Sequence, residues 1–357
     1  MKKRNLILII VAAVVVVAAA LTAWLLSRPT FEQNYHIEDT SSITRIFLAD
    51  KESGEVTLER QNDSTWSVDG KYAASQPMID LLLETLHDMR IRQQVNKNAI
   101  PNAIKDIAAH SIKVEVYQNV PFINWFGGHL KLFSREKLTT TYFVGRETQD
   151  MMASFMYRKG DDVPYIIHIP GFRGFLTPRF VTDPMKWRSH SIVDLNVKQI
   201  ERVELEIPEM ADESFAIQRE GEGFYMEMLQ NHQRVNGFDT ARVAQMLSSF
   251  TYLNFDEFAA IVPNSFADSC VRGEPRTILR ITDTDGHRSE LRTYIKYNNP
   301  DDVKAMPDPK MYETFDLNRL YAILNQRDTV LIQYYSFDNI LQPASYFLGA
   351  DKSIYAQ

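Results

Sequence analysis

The chain has 357 residues, 45% hydrophobic and 24% charged, with a formal net charge of −7. That balance supports packed cores, with length for two domains of about 100–200 residues each, and excludes a largely disordered chain. The acidic sign argues against a nucleic-acid partner, and the single cysteine, Cys270, excludes an intramolecular disulfide, a cysteine zinc cage and a Cys-x-x-Cys redox pair.

Met1-Lys2-Lys3-Arg4 leads into residues 6–26, which carry no charge and include thirteen Leu, Ile or Val. A helix of that length spans roughly 30 Å, the thickness of bilayer hydrocarbon. At roughly −0.4 kcal/mol for each of the thirteen, insertion gains about 5 kcal/mol. Trp24 falls at headgroup depth, and three basic residues precede the span while Arg28 follows it. The positive-inside bias then puts the N-terminus in the cytoplasm and residues 28–357 outside it. Ala18-Ala19-Ala20 offers a signal-peptide cleavage site, but the apolar run exceeds the usual ~7–15 residues of such a signal, so an uncleaved anchor is expected. No cysteine near the end of the run supports a lipoprotein. The expected order is a basic tail at 1–5, a transmembrane helix at 6–26 and a linker at 27–42.

Beyond the linker the chain is written twice. ITRIFL (43–48) matches IERVEL (200–205), and LER (58–60) matches IQR (217–219). Each is followed by a polar turn and an aromatic residue, Trp66 or Phe224, which reads as strands in hairpins. A helix follows in each half. After the caps Ser75 and Asp239, apolar residues recur at Ile79, Leu82, Leu83, Leu86 and Met89, and at Val243, Met246, Leu247, Phe250 and Leu253. The steps are those of one helical face, which needs a sheet to cover it. NAIKDIAAH (102–110) aligns with NSFADSCVR (264–272), placing Cys270 opposite Ala108 in a small apolar core role. KVEVY (113–117) aligns with ILRIT (278–282), and YIIH (165–168) with VLIQ (330–333). Last, Phe172, Leu176 and Pro178 are answered by Phe337, Leu341 and Pro343. The expected fold is therefore α+β: two tandem copies of an antiparallel-sheet-plus-helix unit, residues 43–198 and 199–357, preceded by one N-terminal transmembrane helix.

This running order resembles the bacterial family known as domain of unknown function 4340. The stretch 180–206 is similar to that family's linker: an Asp-Pro, a basic pair, Ser-Ile-x-Asp-Leu and a returning strand. The resemblance covers roughly residues 43–350. The chain departs from a glycine-richer pattern before the strand at 113, where His110-Ser111 stands. The family has no assigned activity, so no catalytic residue carries over. The resemblance implies a membrane-anchored accessory protein, since many similar proteins are encoded beside ABC-type transporter parts, including auxiliary components linked to gliding motility.

Catalytic signals are sparse. None of the eight histidines sits in a His-Glu-x-x-His or another obvious metal spacing, and His87 and His168 read as packed or hydrogen-bonded. Asp283-Thr284-Asp285-Gly286 lacks the closing Glu of a calcium loop and reads as a hairpin turn. Gly221-Glu222-Gly223 lacks the third glycine of a dinucleotide fingerprint. Asp161-Asp162 and Asp301-Asp302 read as solvated loop tips. No catalytic residue, metal ligand or cofactor is expected.

Two stretches break the duplication. Where the second half has its tight turn, the first has QNVPFINWFGG (118–128), so Phe122, Ile123, Trp125 and Phe126 become candidates for contact with a partner or a membrane surface, against the plainer reading that they fold under the linker or the second copy. Lys186, Trp187 and Arg188 are expected to fasten the two copies together. The functional expectation is a single-pass protein of the bacterial cytoplasmic membrane. It holds a periplasmic scaffold or accessory module, plausibly transporter-associated, with the bilayer and a membrane-complex protein as partners. The alternatives are a ligand-binding protein or hydrolase with its site between the copies, and attachment to envelope glycan or lipid through 118–128.

Overall fold

Apolar residues at every second position build two large, mostly antiparallel sheets, each covered by helices, in a mixed α and β chain. The computed structural model describes residues 13–19, 35–125, 130–304 and 314–348, except for the side chains of 122–133. The expected transmembrane segment 6–26 lies outside the described residues but for 13–19, which are helical. Among the described residues no helix is long and apolar enough to cross a membrane. The chain divides into two compact units after Ser189, nine residues before the expected 198/199 boundary. Residues 191–193 pair with 253–254, and Ile192 is buried in the second core, which places that stretch in the second unit.

The first unit comprises β1 (Ile43–Ala49), β2 (Glu55–Arg60), β3 (Trp66–Val68), β4 (Tyr72–Ala73), α1 (Gln76–Asp88), β5 (Arg90–Gln94), α2 (Ile100–His110), β6 (Ile112–Trp125), β7 (Leu130–Glu147), β8 (Ser154–Arg158), β9 (Tyr165–His168) and α3 (Pro184–Trp187). Its strand order is β4-β3-β2-β1-β6-β7-β8-β9-β5. The second comprises β10 (Ser191–Val193), β11 (Ile200–Glu206), β12 (Phe215–Glu220), β13 (Gly223–Met228), α4 (Thr240–Ser248), β14 (Leu253–Asn254), β15 (Glu257–Phe258), α5 (Phe266–Arg272), β16 (Thr277–Asp283), β17 (Arg288–Tyr297), α6 (Pro300–Lys304), β18 (Phe315–Leu324), β19 (Asp328–Gln333), α7 (Tyr334–Phe337) and α8 (Ala344–Leu348). Its large sheet runs β13-β12-β11-β16-β17-β18-β19-β15.

Leaving out β4, the two orders coincide strand for strand. Register and local chemistry coincide too. Leu48 lies opposite Val56 and Val114; Leu205 lies opposite Phe215 and Leu279. Both first strands bury the same positions of their seven, Ile43, Ile46 and Leu48 against Ile200, Val203 and Leu205. Arg60 donates from Nε to the Ile43 carbonyl (2.7 Å) and lies 4.6 Å over the Trp66 ring. Arg219 donates to the Ile200 carbonyl (2.8 Å) and lies 4.6 Å over Phe224. The helices follow the predicted stripe: Ile79, Leu82, Leu86 and Met89 are buried in the first core, Val243, Met246, Leu247, Phe250 and Leu253 in the second. Leu83 is only half-buried, while Thr85, a residue the periodicity skipped, is buried and receives Arg179 Nη1 at 3.0 Å. Helix α4 stops at Ser248, five residues before the predicted stripe ends, and Tyr252 takes a left-handed backbone (φ 56°).

Part of the expected linker belongs to the first core. Tyr35 and Ile37 are buried, the Tyr142 hydroxyl donates to the Tyr35 carbonyl (2.7 Å), and the Ile37 amide donates to the Leu86 carbonyl (2.8 Å). Between them, His36 Nδ1 is buried with no hydrogen-bond partner among the described residues. Burial first, then the charges of Arg90 and His87, lower the His36 pKa, with Glu38 and Asp88 opposing weakly. A histidine whose folded pKa lies below its unfolded value of about 6.5 favours the native state above that pH and loses this contribution as the pH falls below it. Thermal unfolding of the wild type followed from pH 7 to 5 should therefore show a drop in midpoint that His36→Phe flattens. An equal drop in the variant would remove His36 as the cause.

Candidate functional site

The segment singled out at 118–128 belongs to a projecting arm. Strand β1 pairs with β6 only as far as Gln118, and β8 pairs with β7 only from Tyr142 onward. Between those limits β6 and β7 pair with each other alone, from Asn119 opposite Glu136 to Trp125 opposite Leu130. Seven extended residues reach about 24 Å past the flanking strands. Pro121, which cannot donate to a ladder, is tolerated there because both arm strands are edges. Phe122, Ile123 and Trp125 lie on this arm; their side chains, and Phe126 altogether, lie outside the described residues. At the arm's base, Ser134, Arg135 and Leu138 are exposed.

Lys186, Trp187 and Arg188 lie at the end of the first unit, where two of them make contacts within it. Trp187 is fully buried in the first core, where Nε1 donates to the Val181 carbonyl (2.9 Å) and its own carbonyl accepts the Ser75 amide (2.7 Å). The Arg188 guanidinium lies 3.8 Å over the Tyr72 ring, and Lys186 is exposed. The second unit repeats the closure with another residue: the buried Phe347 carbonyl accepts the Asp239 amide (2.7 Å). Asp161 differs from the solvated tip expected of it. One carboxylate oxygen takes Arg158 Nη2 at 2.8 Å and the other is buried with no hydrogen-bond partner among the described residues. Of the histidines, His87 Nδ1 lies 3.1 Å from the Ile37 carbonyl.

Asp283, Asp285 and His287 converge within 4.8 Å in the β16–β17 turn, so that His287 joins the two aspartates read in the sequence as part of a hairpin turn. Their contacts are those of the turn: Asp283 accepts the backbone amides of Asp285 and His287, and Gly286 (φ 86°) closes it.

A cavity of about 1180 Å³ opens within the second unit, at the end of β16–β18 and between α5, α6 and residues 338–343. Ordinary small-molecule pockets run roughly 300–1,000 Å³. Its floor holds two buried threonines, Thr277 and Thr293, with Oγ1 atoms 2.6 Å apart. Tyr294, Tyr297 and Tyr334 are among its lining residues, as are Glu209, Glu274 and Asp338. Burial pushes the Tyr294 and Tyr334 hydroxyls up, with nearby Arg292 and Arg276 respectively opposing, so both stay neutral donors at physiological pH. Cys270 lines this cavity half-buried, which corrects the expected core role. Residues 305–313, between the lining residues Lys304 and Thr314, lie outside the described residues.

The matching place in the first unit is shut. By register, Val144 corresponds to Thr293, Gly145 to Tyr294 and Ser154 to Leu320. A Cβ on Gly145 would stand 3.0 Å from Ile107 Cγ1, so α2 rests directly on that strand. The buried Ser154 hydroxyl accepts the Leu176 and Thr177 amides (2.9 and 3.2 Å), and Thr177 Oγ1 donates to the Gly145 carbonyl (2.7 Å). Leu176 is thereby fully buried, whereas Leu341, its partner in the repeated motif, is half-buried on the cavity wall.

Compared with known proteins, the chain matches no family model, no curated protein and no solved structure.

Proposed function

We propose that this chain is a periplasmic accessory module of a membrane complex, tethered to the bacterial cytoplasmic membrane by residues 6–26 and built from two copies of one α+β unit. The single observation that carries the reading is the unsupported arm of residues 119–136. A two-stranded ribbon without a covering layer is marginal in water, and this one carries Val120, Phe122, Ile123, Trp125, Phe126, Leu130, Leu132 and Phe133 within fourteen positions. Such a sequence is stabilised when an apolar surface covers it, and a membrane-protein partner supplies one. The charge-free run at 6–26 supports the tether, and the coincident strand orders support the duplication. The resemblance to domain of unknown function 4340 adds the expectation that the partner is part of a transporter.

A photoreactive residue at Ser134 or Leu138, in the full chain in intact cells, tests the reading. A discrete crosslinked membrane protein is expected, and Trp125→Ser with Phe126→Ser should reduce that adduct at least tenfold at unchanged expression. Adducts with lipid alone would transfer the arm to the bilayer surface. No adduct at either position, with the chain always purifying alone, would overturn the proposal.

A further inference from the structure

Where the first unit closes over its sheet end, four replacements hold the second unit open. Tyr294 stands for Gly145 and Leu320 for Ser154, by register. Ser269 stands for Ile107 and Gln342 for Thr177, by the alignment of the halves, which keeps leucine at 176 and 341. Tyr294 stands at the strand position on which Ile107 seats α2 in the first unit, and Leu320 has no hydroxyl to draw down the 341–342 amides. The floor has also changed chemistry: a threonine pair stands where the first unit has Ile112 and Val144. Buried hydroxyls on a core-facing position cost stability unless they are used, and the pair has two protons for one mutual bond.

The walls indicate what the cavity takes. Elsewhere this chain repeatedly places a guanidinium over an aromatic ring: Arg45 over Tyr117 at 4.0 Å, Arg234 over Tyr225 at 3.7 Å, Arg242 over Tyr346 at 4.4 Å. Among the described residues, Tyr294, Tyr297 and Tyr334 have no such cation. Among the same residues Glu209 and Glu274 form no ion pair, and the Asp338 side chain accepts only from Gln342. Of the two cations among the described lining residues, Lys304 is taken by Asp301 at 3.3 Å, which leaves Arg276 against three carboxylates. Aromatic faces with an excess of carboxylate recognise ammonium groups, and the remaining wall, Ile207, Ile295, Leu320 and Phe337 among it, is hydrocarbon.

We infer that this cavity binds an amphipathic organic cation: an ammonium group held against the tyrosine faces and the carboxylates, with an apolar body along the aliphatic wall. The inference is independent of the anchor and of the arm.

Cys270, the only thiol in the chain, reports on occupancy, since a seated ligand shields it. The full chain in lipid nanodiscs is labelled with N-ethylmaleimide, and the rate is followed by intact mass with and without benzyltrimethylammonium. Saturable slowing of at least threefold is expected below about 10 mM, the weak end of specific binding. The uncharged isostere neopentylbenzene should protect at least tenfold less well. Tyr297→Ser, at a half-exposed ring where the fold tolerates change, should weaken protection, as should Glu274→Gln with Asp338→Asn. Equal protection by the uncharged isostere, stronger protection by phenylacetate, or none at about 10 mM would each overturn the inference. Slow labelling of the ligand-free chain would overturn it too, because the protein itself would then cover the thiol.

Discussion

Replacing Trp187 with alanine is expected to destabilise the first unit by about 3–5 kcal/mol, the range for removing a large buried aromatic. The ring is fully buried among the residues of β1, β2 and α1, and its indole nitrogen holds the Val181 carbonyl at 2.9 Å. Its backbone carbonyl takes the amide of Ser75, the N-cap of α1, whose own side chain makes no capping bond. The start of α1 therefore depends on how Trp187 is seated. Hydrogen exchange on the full chain in detergent gives the readout: amides of α1 and of residues 72–75 should lose protection by two to three orders of magnitude. Trp187→Phe keeps most of the volume and strands the Val181 carbonyl, so it should cost about 1–3 kcal/mol. If both variants exchange like the wild type, Trp187 is a surface residue and its position in the fold is wrong.

The second large effect is expected at Gly145. Even an alanine Cβ there meets Ile107 Cγ1 and the Phe155 carbonyl oxygen, each at 3.0 Å. Ile107 can shift, but the carbonyl belongs to the backbone of β8, which pairs with β9 at Phe155. Gly145→Tyr, the residue found at the matching position of the second unit, must lift α2 from the strand and should cost about 3 kcal/mol, at the upper end of overpacking. Adding Ile107→Ser makes room and should restore 1 kcal/mol or more, roughly the size of coupling between touching residues. Denaturant midpoints of the two single variants and the double variant decide this. Strictly additive losses would show that the glycine and the isoleucine do not close the first unit together.

Much of the architecture was legible because it rests on local periodicity. The alternation in ITRIFL and IERVEL puts Ile43, Ile46 and Leu48, and Ile200, Val203 and Leu205, on one face. Arg60 and Arg219 align in the two halves of the sequence and make the same carbonyl and ring contacts. What escaped the sequence depends on distant residues meeting. The repeated Phe172–Leu176–Pro178 pattern fills two roles, because Ser154 draws Leu176 inward and Leu320 cannot do the same for Leu341. The basic-aromatic triplet at 186–188 offered several partners, and only the folded chain shows Trp187 under Val181 and Arg188 over Tyr72. Extra residues at 118–128 signalled an insertion, yet the length of the arm depends on where β1 and β8 stop pairing. The cavity left no motif at all, since it arises from contacts the second unit lacks.

Tyr35 and Ile37, packed into the first core, set how many residues separate that unit from the proposed anchor. With residues 6–26 in the bilayer as proposed, eight residues, 27–34, lie between the anchor and Tyr35, and the covalent reach of eight residues is at most about 28 Å. Under that tether the first unit would meet any neighbour in the same patch of membrane at an effective concentration near the millimolar range. Weak contacts then suffice for near-continuous engagement, and a detached version of the same surface competes poorly unless supplied at comparable concentration.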